Sequence, residues 1–189
     1  GLVYNNIRFE FSDIDQASAF ATLFTGSNPC FSGIAGDKTF DFEKEKEVSI
    51  LNDPEYLGNY TKENYSPKNL FSSTIGDELK IASQGRSDVY SIAPDAESAI
   101  LSAGHAANGA FWMDNTNGKW ATTTYYKGIP WYVDRYNNGP ESLASRLETM
   151  VWTPTLPMEK YDAFPYVLDD LPFRYTFSEK FANCYPNLK

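Results

Sequence analysis

Asp13-Ile14-Asp15-Gln16-Ala17-Ser18-Ala19-Phe20-Ala21-Thr22-Leu23-Phe24-Thr25-Gly26 reads as one short helix. Asp13 or Asp15 can cap it, since a carboxylate accepts the free backbone N–H groups of a first turn. Ile14, Ala17, Ala21 and Phe24 recur at helical spacing and give a narrow apolar face of mostly small residues. Gly26 is a natural left-handed stop. A helix with so small a face packs close to its neighbour, and its N-terminus favours negative charge, which makes it a good seat for a phosphate. Here the residues at that end are Asp13, Asp15 and Gln16. The carboxylates cap the helix themselves and repel an incoming anion.

Outward from this helix, Leu2, Tyr4, Ile7, Phe9 and Phe11 alternate weakly and predict a short strand leading into it. Residues 27–37 carry Asn28-Pro29, Ser32, Gly33 and Gly36, a loop composition. Charges of both signs between Thr39 and Val48 predict a solvent-facing surface. Residues 52–66 form a polar, Tyr-rich loop holding Asn59-Tyr60-Thr61 and Asn64-Tyr65-Ser66, which fit the short N-glycosylation pattern. Ser66-Pro67 predicts the start of a helix that buries Phe71, Ile75, Leu79 and Ala82 and ends at Gly85. Asp88–Ala93 reads as a buried strand, followed by Pro94-Asp95 and a helix through Leu101. Helix, strand and helix joined by short turns is the rhythm of a parallel α/β sheet. Asn115-Thr116-Asn117-Gly118 between Ala110–Asp114 and Lys119–Tyr126 predicts a β-hairpin. Trp131, Tyr132 and Tyr136 suit core packing, with a glycan-binding surface as the other use of such aromatics. Residues 140–151 predict a helix with Leu143, Leu147 and Val151 on one face. Pro154, Pro157, Pro165, Pro172 and Pro186 then mark a loop-rich segment wrapping the surface.

The chain has 189 residues, 42% of them hydrophobic and 16% aromatic, which suits one sizeable folded domain: an α/β core over about 1–105, then hairpin, helix and wrapping segment over about 106–189. A net charge of −9 argues against nucleic acid and anionic membranes as partners. No apolar run approaches the roughly 20 residues needed to span a bilayer. No signal peptide is visible, and a start at Gly1 suggests a processed or excised chain. Cys30 and Cys184 can pair only in an oxidising compartment. The single histidine, His105, sits in a Gly- and Ala-rich turn, where an imidazole commonly bonds a backbone carbonyl. One histidine is too few for a self-contained zinc hydrolase site.

Thr22-Leu23-Phe24-Thr25-Gly26, then Pro29 and Gly33-Ile34, resembles the nucleophile helix and following loop of the alkaline phosphatase superfamily. Within it, the nearest likeness is to the type I phosphodiesterase/nucleotide pyrophosphatase branch and its PafA-like alkaline phosphatases. Residues 99–114, Ala-Ile-Leu-Ser-Ala-Gly-His-Ala-Ala-Asn-Gly-Ala-Phe-Trp-Met-Asp, carry the strongest part of the likeness. The resemblance implies an α/β phosphatase-like fold of which this chain is a middle piece, from a periplasmic or secreted protein. It also implies two zinc ions held by residues outside this chain, so zinc is expected only in a full-length protein and no metal ligand is expected here. The family's nucleophilic Thr falls on Gln16 and the His that follows it on Phe20. A primary amide does not attack phosphorus. The phosphate-contacting Asn falls on Asp37, and the Lys and Arg of the next phosphate loop fall on Asp95 and Glu97. The resemblance therefore implies a catalytically degenerate member acting as a binding or scaffold protein, with an unknown protein or glycan partner. The alternatives are an active metal-dependent hydrolase with an altered nucleophile, in which a metal-activated water replaces the side chain, and a glycan-binding module; Ser18 and Thr22 as shifted nucleophiles are turned roughly 200° and 240° from position 16 on the helix and suit packing better.

Overall fold

The computed structural model describes residues 1–6, 8–12, 14–143 and 145–146, together with the backbone of 166–168 and 171–173. The chain divides into two units, residues 1–114 with 120–131, and residues 115–119 with 132–189.

In the first unit, the deciding stretch forms helix α1, Gln16–Thr25. Asp15 is the cap: its side chain accepts from the Ser18 N–H while the Ser18 hydroxyl accepts from the Asp15 N–H, a reciprocal capping box. Asp13 lies outside the described residues. Gly26 closes the helix with φ 67°, a conformation that a Cβ disfavours. The buried face is Ala17, Ser18 and Ala21; Ile14 precedes the helix and is exposed, so the expected stripe is narrower than its spacing suggested. No strand forms among the described residues 1–12, which are mostly exposed. A single turn, α2 (Pro29–Ser32), interrupts the expected loop. Strands β1 (Lys38–Asp41) and β2 (Lys46–Ser49) form an exposed antiparallel hairpin.

The expected helix from Ser66 is corrected. Helix α3 covers Ile75–Ala82 and starts at Thr74, whose side chain makes a capping box with Asp77. Ser66 caps only a turn: its hydroxyl accepts from the Lys68 N–H at 3.3 Å and donates to the buried Asp53 carboxylate at 2.5 Å, its N–H donates to Leu51 O at 3.0 Å, and no helix follows directly. Lys68 completes that knot at 3.2 Å from Asp53. Phe71, Ile75 and Leu79 are exposed instead of buried. The two glycosylation-like patterns serve the fold: Asn64 accepts from the Gly58 N–H, the Asn59 amide nitrogen is buried, and Ser66 is tied to Asp53.

Strand β4 (Tyr90–Ala93) leads into α4 (Ala96–Ala103), capped by Asp95 through the Ser98 N–H. The hairpin formed by β5 (Gly109–Met113) and β6 (Trp120–Thr123) is where the Asn-Gly turn placed it. With β3 (Gly58–Asn59) these make a mixed sheet in the order β3-β6-β5-β4, in which β4 and β5 run parallel and the other pairs antiparallel. The fold is α/β, as read from the sequence, but with one parallel pair in the sheet. The core joins Ala17 and Ala21 of α1, Ala99, Ile100, Leu101 and Ala103 of α4, and Ala110, Trp112 and Ala121 of the sheet. Small residues on both α1 and α4 let the two helices approach closely.

The second unit holds most of α5 (Trp131–Asn137), which begins at the last residue of the first. Trp131, Tyr132 and Tyr136 are exposed, against the packing role expected of them, because they sit on a short helix whose buried residue is Asn137. Strands β7 (Tyr166–Leu168) and β8 (Leu171–Phe173) pair antiparallel where a loop was expected. Leu147, Val151 and Cys184, and with them most of the expected 140–151 helix and the cysteine pairing, lie outside the described residues. No helix among the described residues is long and apolar enough to cross a membrane.

Candidate functional site

The N-termini of α1 and α4 converge, and they bring together the four positions singled out in the sequence. Gln16 donates from its amide nitrogen to the Ser98 hydroxyl at 2.7 Å, joining the two first turns. Asp37, at the end of the loop after α2, accepts from the Ala17 N–H at 3.1 Å. Its own N–H donates to Asp15 at 2.7 Å. Asp95 accepts from the Ser98 N–H at 2.9 Å, and Glu97 follows one residue into the helix.

The first-turn donors of α1 are thus filled by the chain's own carboxylates. Burial raises the Asp15 pKa, but hydrogen bonds from Ser18 and the Asp37 N–H outweigh it and leave the carboxyl below its ordinary range. Glu97 goes the other way. Burial lifts its pKa, and the charges of Asp95, Asp37 and Glu63 lift it further. Burial and then the Glu63 charge push the neighbouring Tyr65 phenol up to about 12. The Tyr65 ring packs on the buried Trp112, with centroids 6.4 Å apart. The site is acidic, and the Tyr65 phenol lies within electrostatic reach of Glu97.

His105 lies elsewhere. Its Nδ1 is 3.2 Å from Asp77, and the same carboxylate accepts from the His105 and Ala106 N–H groups at 2.9 and 2.7 Å. The Asp77 bond raises the imidazole pKa, outweighing burial. For Asp77, burial raises the pKa but the His105 and backbone hydrogen bonds bring it well below the usual carboxylate range. His105 is a structural clamp between α3 and the turn after α4. Among the described residues no group of three or more His, Cys, Asp or Glu could hold a metal, and the His105 imidazole is committed to Asp77; the zinc ligands implied by the resemblance are expected outside this chain.

Ser98, Tyr65 and Glu63 were not anticipated. The Gln16–Ser98 bond spans 82 positions, and no local pattern announces it.

No family model matches the chain. It is 35% identical over 166 residues to the alkaline phosphatase PafA of Elizabethkingia meningoseptica, covering 85% of this chain and 30% of that protein. It is 30% identical over 192 residues to the alkaline phosphatase PhoV of Synechococcus elongatus, covering all of this chain and 34% of PhoV. The crystal structure of wild-type PafA superposes with a TM-score of 0.72 at 30% identity, over 91% of this chain and 35% of that one. This chain belongs to the alkaline phosphatase superfamily. Within it the chain is PafA-like, and a PafA variant with four substitutions superposes with a TM-score of 0.70 at 29% identity, over 88% of this chain. A calcium-transporting ATPase of Myroides odoratus is also similar, 33% identical over 165 residues. The chain spans about a third of the length of the curated relatives it matches.

Proposed function

We propose that this chain carries the phosphate-handling part of a PafA-like protein in a degenerate form, one that binds or scaffolds and does not turn over phosphate esters. The observation that carries the reading is the filled N-terminus of α1. Asp15 and Asp37 take its backbone donors, and the Gln16 amide is spent on Ser98. A phosphate dianion entering there meets Asp37, Asp95 and Glu97. Each close like-charge pair opposes binding by about 1 kcal/mol in water at 4 Å and more where water is thinned. The position that needs a nucleophile holds an amide.

An active hydrolase with a shifted nucleophile finds less support. Ser18 is buried and committed to the capping box, and Thr22 lies nearly two turns along α1 beside Gly26 and Asn28. We assign the protein to the type I phosphodiesterase branch on the text of residues 22–34, and to the periplasm or exterior on the habits of its relatives. Any zinc belongs to the rest of the full-length protein.

The test is turnover by the complete protein, purified without chelators and analysed for zinc, on phosphate mono- and diesters. The expected result is no hydrolysis above background. Robust hydrolysis that is lost when Gln16, Asp37, Asp95 and Glu97 are replaced by alanine overturns the reading.

A further inference from the structure

We propose that a cleft beside the C-terminal end of α1 binds one neutral sugar residue of a glycan. The inference stands whether or not the α1 N-terminus is degenerate, because it uses none of the residues there.

The cleft measures about 430 Å³ and lies among Arg8 and Glu10 of the N-terminal segment, Thr22 of α1, Asn28 in the turn that follows, and Phe31 of α2. That volume is within the range of small-molecule sites. Gly26, where α1 stops, also lines it. A Cβ at Gly26 would meet no atom within 4 Å, so no part of the chain fills the space in front of it.

The polar groups around the cleft have hydrogen-bonding capacity left over. Asn28 precedes α2 at the position where an Asn side chain normally accepts a first-turn N–H, yet it makes no such bond. Its amide nitrogen donates instead to the Glu10 carboxylate, at a long 3.3 Å. Arg8 has no ion pair among the described residues. The Thr22 hydroxyl is buried without a partner. A helical Thr divides between two χ1 rotamers, so rotation about χ1 offers this hydroxyl to a ligand. At the other end of α1 the corresponding groups are bonded to one another.

The mixture selects the class of ligand. Arg8 only donates, Glu10 only accepts, and Asn28 and Thr22 do both. Glu10 repels a free anion, and Arg8 repels a free cation. A pyranose hydroxyl is donor and acceptor at once, so neighbouring hydroxyls use the guanidinium, the carboxylate and the amide together. Phe31 is 72% exposed at the same cleft. One exposed ring is ordinary by itself. Beside this polar set it supplies an apolar plane for the C–H face of a sugar, and covering that plane adds to the polar contacts. A zwitterionic amino acid pairs with Arg8 and Glu10 but leaves Asn28 and Thr22 without a use.

The experiment uses the full-length gene product and saturation-transfer NMR. The probes are the methyl glycosides of glucose, galactose, mannose and N-acetylglucosamine, with free glycine and phenylalanine beside them. Expected is binding of at least one glycoside with a Kd between about 0.1 and 10 mM, the strength of a small contact, and weaker binding of both amino acids. Phe31→Ala and Glu10→Ala should each weaken glycoside binding at least about tenfold. Phe42→Ala, on the exposed β1–β2 hairpin, should leave it unchanged. Thr22→Val separates binding from folding: its hydroxyl has no internal bond to lose, so the melting temperature should hold or rise while the glycoside binds more weakly. Failure of all four glycosides to bind overturns the proposal. Binding at parent strength in Phe31→Ala, Glu10→Ala or Thr22→Val overturns it as well. Tighter binding of an amino acid than of any glycoside also overturns it, since the ligand is then a zwitterion.

Discussion

Asp77 shows how much one side chain can hold. Its carboxylate receives the Thr74, His105 and Ala106 N–H groups and faces the His105 ring. An amide in its place keeps one acceptor oxygen, so Asp77→Asn should destabilise the chain by about 2–3 kcal/mol in a denaturant titration. The pair also sets a pH window. The Asp77 pKa is lowered from 3.8, so its contribution is present above that value and fades as acid protonates the folded carboxyl. The His105 pKa is raised from 6.5, so its contribution is complete below that value and is lost as pH rises through the folded pKa. The pair therefore stabilises most between 3.8 and 6.5, and His105→Gln should flatten the alkaline fall of the melting temperature. Glu97 has the opposite sign. Its folded carboxyl is raised from 4.5, so ionising it weakens the fold. Glu97→Gln should melt higher than the parent at about pH 8 and level with it in acid below the ordinary glutamate range.

At the scale of elements, the turn after α4 is the tightest joint. Gly104 has φ 75°, and a Cβ there would lie 2.3 Å from the Thr74 hydroxyl and 2.4 Å from Asp77. Gly104→Ala should cost more than about 3 kcal/mol or prevent folding, read from soluble yield and circular dichroism. The elements that were legible in the sequence are those whose signals are local. The Gly26 stop, the helix that follows Pro94-Asp95 and the Asn-Gly hairpin all rest on signals within a few residues. Helix α3 starts later than expected because Ser66-Pro67 is as good a local start as Thr74; Ser66 holds only a turn through the Lys68 N–H and is tied to Leu51 and Asp53, which no local pattern reveals, whereas Thr74 makes a full capping box with Asp77. The same holds at the candidate site. The residue types at Gln16, Asp37, Asp95 and Glu97 could be read from the chain, but Gln16 engaging Ser98 and Asp37 reaching the Ala17 N–H depend on how α1 and α4 meet. The exposure of Ile75 and Leu79 was hidden for a related reason: helical spacing marks an apolar stripe without saying whether these residues supply its cover.

For the whole molecule, sixteen basic side chains face twenty-five acidic ones. Self-repulsion of that kind is long-ranged and screened by salt, so raising NaCl from about 0.02 M to about 0.5 M near neutral pH should raise the melting temperature. A fall on adding salt would mean that attractive surface pairs dominate instead. The hairpin of β1 and β2 bears on a different question, the history of the chain. Its two ends are stitched together where the Ile50 N–H meets Asp37 O at 2.8 Å, so everything from Lys38 to Ser49 hangs from a closed base. Evolution can lengthen, shorten or replace such an appendage without disturbing Asp37 or α1 beneath it. Among kindred proteins this is where length should vary most freely while the flanking residues hold still, and for an engineer it is a ready socket for a grafted peptide.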